Sequence, residues 1–165
     1  MYFARQNDSA FAPPSFRSQN GGVLTLGGLN TDLFVGEINY IPLSRSTVRN
    51  NSHFFWEIPL DHAEYGGRQF SMSTVAIVDT GNPFSTVPAD LFRAIYGSLP
   101  GAVLSKTDEG RYTFPCSSAD AQLRPLTVTL NGLQYTIPPE DLAFRTSASS
   151  ETCISGLDPM DDRYP

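Results

Sequence analysis

Apolar and polar positions change over at short intervals along this chain, and glycine, proline or a cluster of small polar residues interrupts nearly every run. That is the pattern of short strands joined by turns, since the two-residue period persists only over a few positions at a time. Met1-Tyr2-Phe3-Ala4 predicts a short strand that gives way to a Ser/Pro/Asn/Gly-rich loop. Gly22-Val-Leu-Thr-Leu-Gly-Gly28 predicts a strand with glycine at both ends, and Leu33 to Pro42 a second with a bulge at Gly36. Phe54 to Leu60 predicts a strand, Tyr65-Gly66-Gly67-Arg68 a hairpin turn, and Phe70 to Val78 a return strand.

The spacing predicts one real helix. Pro88 suits the first helical position, Leu91, Phe92 and Ile95 fall on one side, and Gly97 ends it. Arg111 to Cys116, Leu126 to Leu130, Leu133 to Ile137 and Thr152 to Gly156 complete the strands, with Asn131-Gly132 as the hairpin between two of them. Pro138 to Leu142 could form one helical turn, and Leu157 to Pro165 is an acidic tail. About nine short strands and no repeat predict an all-β architecture, read as a single domain over residues 1–165.

Composition narrows the function. The 165 residues include 13 Gly and 13 Pro, only 17% are charged, and the net charge is −6. Such a surface gives no attraction to nucleic acid or to anionic membranes, both of which reward Lys and Arg. It also gathers little excess positive charge in acid, a hint of an acidic working pH. No apolar run approaches the roughly 18 residues of a membrane span, and Met1 to Arg5 lacks the form of a signal peptide. Asn7-Asp8-Ser9 and Asn50-Asn51-Ser52 are N-glycosylation sequons and agree with a secretory route, weakly.

Cys116 and Cys153 allow two readings: buried free thiols, or, in an exported protein, a bridge contributing roughly 4 kcal/mol on the chain-entropy account. His53 and His62 have no Cys or His at ligand spacing, so neither a metal nor a cofactor is expected. There is no Gly-x-Ser-x-Gly elbow and no recognisable nucleophile for either histidine.

The chemistry gathers at Val75-Ala-Ile-Val-Asp79-Thr-Gly-Asn-Pro-Phe84. An apolar run delivers a carboxylate to a sharp turn, and such a group is costly near a core unless something bonds or uses it. The amide of Gly81 and the hydroxyl of Thr80 are the nearest donors. Asp, Gly and Asn are also ordinary turn residues, so the tripeptide alone reads equally as a turn.

Its setting decides. Ile-Val-Asp79-Thr-Gly resembles the active-site loop of pepsin-like aspartic peptidases, and the match runs from Ile77 to Pro88 without a gap. Around it, in order, Tyr2 to Arg5 resembles the strand crossing between that family's lobes, and Gly22 to Gly28 its G-x-L-x-L-G-G segment. Phe55-Trp56-Glu57-Ile58 is similar to its aromatic-Trp-Gln-hydrophobic strand. Tyr112 to Cys116 and Cys153 to Gly156 are similar to the segments joined by the C-terminal lobe's disulfide, which implies a Cys116–Cys153 pair.

The resemblance implies the C-terminal lobe of a bilobal, secreted or vacuolar/lysosomal aspartic endopeptidase, a barrel- or sandwich-like β lobe of the double-psi type with one or two short helices. It implies Asp79 as one of two catalytic aspartates, with Thr80, Gly81 and Asn82 supporting it. Phe55, Ile77 and Met160 would line substrate pockets. The partners implied are a polypeptide substrate and an N-terminal lobe carrying the second aspartate.

The chain departs from the family at its catalytic loop, in its missing second motif and flap, and at its end. Asn82 stands where a Thr or Ser donates to the carboxylate, no second Asp-Thr/Ser-Gly is present, and Tyr65-Gly66-Gly67 is only an echo of the tyrosine-bearing flap. The chain ends at Pro165, before the family's hydrophobic-hydrophobic-Gly strand, so the resemblance implies an incomplete lobe, inactive without its partner. A homodimer with two Asp79 residues would need a flap in each chain. A peptidase-like module that binds peptides without cleaving them is the alternative.

Overall fold

In this computed structural model the described residues are 2–3, 22–44, 55–71, 75–82, 84–105, 110–145 and 149–160. The chain divides into two compact units, Met1–Tyr40 and Ile41–Pro165.

In the first unit, β1 (Tyr2–Phe3) pairs antiparallel with β2 (Gly22–Val23), Tyr2 opposite Val23. The strand expected over Gly22 to Gly28 therefore contracts to its first two residues, and Leu24 and Leu26 are left exposed. A single 3₁₀ turn, Thr31–Leu33, is capped by Asn30, whose side-chain oxygen accepts from the Asp32 amide at 3.1 Å. No strand forms over the described residues 33–42, against expectation. Gly36 lies at φ +84°, where an extended backbone breaks, and Val35 beside it is fully exposed.

The second unit holds the core. Its strands are β3 (Glu57–Pro59), β4 (His62–Tyr65), β5 (Arg68–Phe70), β6 (Val75–Ile77), β7 (Ser85–Val87), β8 (Val103–Leu104), β9 (Tyr112–Pro115), β10 (Leu126–Leu130), β11 (Leu133–Ile137), β12 (Ala143–Arg145), β13 (Thr152–Ser155) and β14 (Leu157–Pro159). One four-stranded sheet runs β11-β10-β4-β5 and another β12-β13-β9-β8; β7 pairs with β14 and β3 with β6. The all-β expectation holds, and the described strands close no barrel. Asn131 and Gly132 take φ of +50° and +76°, the left-handed pair that a two-residue hairpin demands, and the Gly132 amide donates to Asp61 Oδ2 at 2.8 Å.

Two helices are present among the described residues. α1 (Ala89–Tyr96) buries Leu91, Phe92, Ile95 and Tyr96, each contributing about 2 kcal/mol by burial. Pro88 caps it in an extended conformation rather than entering its first turn. Tyr96 is fully buried, stacks on Phe114 at 5.8 Å and donates its hydroxyl to the Leu142 carbonyl at 2.7 Å. Desolvation by burial pushes that hydroxyl's pKa above its ordinary value.

α2 (Cys116–Gln122) was not expected: β9 ends at Pro115, and Cys116 opens a helix instead of closing the strand. Cys116 and Cys153 form a disulfide, with Cα atoms 5.0 Å apart, which joins α2 to β13. The expected turn after Pro138 is a 3₁₀ turn, Pro139–Asp141.

Candidate active site

Two strand pairs hold the Asp79 loop, one at each end. On the way in, β6 runs antiparallel to β3, with Ile77 opposite Glu57, and the Val78 amide extends the ladder to the Trp56 carbonyl at 2.9 Å. On the way out, β7 runs parallel to β14 with Thr86 opposite Asp158, and the Met160 amide donates to the Val87 carbonyl at 2.7 Å. Neither β7 nor β14 was expected from the sequence.

Between these stems Asp79, Thr80, Gly81 and Asn82 are exposed. The Gly81 amide donates to Asp79 Oδ1 at 2.8 Å, so the expected backbone donor is in place. Thr80 makes no hydrogen bond among the described residues. The Asn82 side chain does not reach back to Asp79 through its oxygen; Oδ1 accepts from the Phe84 amide at 3.2 Å. Two successive side-chain turns therefore shape the loop and leave Asp79 Oδ2 open to solvent-side partners.

Ile77 and Phe55 are exposed at 54% and 59%, beside Val78 and Trp56 at 51% and 69%. This is a run of apolar surface along the strand pair that delivers the carboxylate. Sequence reasoning singled out Phe55 and Ile77 but not Trp56 and Val78. The signal was available: both sit within the segments that carried the resemblance. Met160 is 38% exposed at the end of β14, on the outgoing side of the loop. Glu57, in β3 opposite Ile77, is buried, and its Oε2 has no hydrogen-bond partner among the described residues.

Other candidates are structural. The Tyr65 hydroxyl accepts from the Arg124 amide at 3.3 Å, which ties the β4–β5 hairpin to the segment before β10. His62 Nε2 lies 3.2 Å from the Thr129 hydroxyl. Among the described residues no group of three or more His, Cys, Asp or Glu could hold a metal ion, and no helix is long and apolar enough to cross a membrane. Asn7, Asn50 and His53 lie outside the described residues.

An aspartate carried by a strand into a Gly-bearing loop, with its carboxylate held by a backbone amide, is equipped for proton transfer at its free oxygen. The family profile described as "Eukaryotic aspartyl protease" matches residues 10–164. The chain belongs to that family.

As an aspartyl protease chain it is similar to pepsin A of Rhinolophus ferrumequinum, 32% identical over 149 residues, covering 89% of this chain and 35% of that protein. It is also similar to a vacuolar aspartic protease of Candida albicans, 32% identical over 147 residues, covering 88% and 32%. Cathepsin D of Homo sapiens is 30% identical over 147 residues, covering 87% and 33%. The chain thus spans about a third of the length of the aspartyl proteases it matches.

Proposed function

We propose that this chain is the C-terminal lobe of a pepsin-like aspartic endopeptidase and that Asp79 is one of its two catalytic aspartates. The observation that carries the reading is the carboxylate itself: family membership and the Gly81 amide bond at 2.8 Å meet on the same exposed side chain. An N-terminal lobe brings the second aspartate opposite it. Two carboxyl groups so close cannot both ionise, so they share one proton. One carboxylate takes a proton from a water molecule, whose oxygen attacks the scissile peptide carbonyl. The other carboxyl gives its proton to the developing oxyanion.

The substrate is an extended polypeptide, and the exposed Phe55, Ile77 and Met160 suit apolar side chains beyond the cleaved bond. The Cys116–Cys153 bridge supports an oxidising compartment, hence a secreted or vacuolar enzyme. The test is complementation. The purified chain is assayed on an unfolded protein between about pH 3 and 6, alone and with a lobe bearing a second Asp-Thr/Ser-Gly. Cleavage only in the mixture supports the reading, and cleavage by the chain alone that disappears in Asp79→Asn would mean that two copies, or a further acid, complete the site.

One observation favours a second reading, a peptide-binding module without catalysis. Asn82 directs its side-chain oxygen to Phe84 instead of supplying a hydroxyl to Asp79. Asp79→Ala that keeps peptide binding would support this alternative.

A further inference from the structure

The loop presenting Asp79 has few fixings of its own. Among the described residues its four exposed positions contribute two hydrogen bonds, and each joins residues only two apart. The stems therefore set its aim. The incoming stem is a strand ladder. The outgoing stem begins at Phe84, which is half-buried between two partners. The Arg111 guanidinium lies 4.2 Å from the centre of the Phe84 ring, and the Phe144 ring meets it edge-on, centroids 6.0 Å apart and planes at 89°.

Arg111 is itself fixed. Its Nε lies 2.5 Å from Asp158 Oδ1 and its Nη2 donates to Oδ2 at 3.0 Å, a fork on a carboxylate. Both side chains are largely shielded, at 14% and 18% exposure, so this pair is not one of the weak surface kind. Asp158 lies in β14 opposite Thr86 of β7, on the strand that already holds the outgoing stem. The Arg111 carbonyl accepts from the Ser105 amide at 2.8 Å at the loop end of the β8–β9 hairpin. One guanidinium thus joins the β8–β9 hairpin, β14 and the first described residue after the loop.

We propose that Arg111 is a positioning residue for Asp79: held by Asp158, it clamps the Phe84 ring and fixes the stem from which the catalytic loop hangs. The inference rests on reading Asp79 as catalytic. Arginine is needed because its planar fork serves the carboxylate and the ring at once. A lysine can face the ring, but as a point charge it cannot grip both carboxylate oxygens.

The experiment is backbone ¹⁵N relaxation on the 165-residue chain and on Arg111→Met, Arg111→Lys and Phe84→Leu. In the unaltered chain the Gly81 amide should match α1, with an order parameter of about 0.85. In Arg111→Met and Phe84→Leu it should fall below about 0.6 while Leu91 and Tyr96 stay rigid, and Arg111→Lys should recover part of the loss. With an N-terminal lobe supplied, Arg111→Met should lower kcat roughly tenfold at unchanged KM, since it misaims a reacting group without altering the substrate walls. An unchanged Gly81 amide in both Arg111→Met and Phe84→Leu overturns the clamp. So does equal loosening of α1 and the loop, which would make Arg111 a general stabiliser. An Asp79→Asn enzyme that still cleaves would defeat the catalytic reading instead, and the relaxation data would judge the clamp regardless.

Discussion

Gly81 bonds the Asp79 carboxylate and also crowds it: its amide lies 2.8 Å from Oδ1, and a methyl group added to its Cα would stand 3.3 Å from that same oxygen. The contact is tighter than an ordinary van der Waals approach, and the carboxylate is the group able to move. Gly81→Ala should leave the unfolding free energy within about 0.5 kcal/mol, because the loop is exposed. It should reduce kcat of the assembled enzyme by at least roughly tenfold through a shifted carboxylate. Parallel denaturant and kinetic measurements check this; full activity in Gly81→Ala would show that the added methyl is accommodated without moving the carboxylate.

Removing the disulfide tests how much the covalent link contributes. Cys116 and Cys153 are 37 residues apart, so the bridge restricts a long loop in the unfolded chain. The Cys116→Ala/Cys153→Ala variant should lose about 4 kcal/mol on the chain-entropy account. Urea unfolding of the two proteins gives the difference directly, and a loss below about 1 kcal/mol would contradict it.

Tyr96 predicts an alkaline limit. Burial raises the pKa of its hydroxyl, so the folded chain keeps a proton that the unfolded chain releases above about pH 10. The unfolded state then binds fewer protons, and stability falls as pH rises beyond that point while being fully present below it. Tyr96→Phe should cost about 1 kcal/mol at pH 7, since the Leu142 carbonyl keeps its other donor, the Gly156 amide at 3.0 Å. Above pH 10 the variant's stability should decline less steeply than that of the parent. Equal slopes in unfolding series would contradict the assignment.

Glu57 offers a stabilising change. Its carboxylate is buried at 4% exposure, and Oε2 lacks a partner among the described residues. Glu57→Met removes the orphaned oxygen while keeping the length of the side chain, and should raise stability by about 1 kcal/mol. Chemical denaturation decides; a loss would mean that a donor outside the described residues pairs with the carboxylate.

Much of this was legible because it depends on neighbours in sequence. The apolar run into Asp79-Thr-Gly located the loop, and Asn131-Gly132 fixed β10 and β11 to their observed ends. What was not legible depends on distant partners. β7 and β14 are three residues each and have no pattern of their own; they exist because each pairs with the other across most of the second unit. The clamp of Arg111 on Phe84 is hidden for the same reason. α2 escaped notice because Cys-Ser-Ser-Ala-Asp-Ala-Gln holds few strong helix formers and follows a strand ending in proline. The opposite error, a strand expected from Leu33 to Pro42, came from alternation alone, with no pairing partner among the described residues to make it real.

The proposed catalysis turns on Asp79, and hydrolysis of an unfolded protein in acid by this chain joined to an N-terminal lobe, with Asp79→Asn beside it, tests that role most directly. The amide keeps the shape of the side chain and the acceptor for Gly81 but cannot take up or release the proton. The parent should cleave and Asp79→Asn should lose at least about a thousandfold, on the order expected when a paired acid and base are both disabled, with unfolding midpoints alike. Equal cleavage by both proteins would contradict it, and Asp79 would then be an ordinary turn residue.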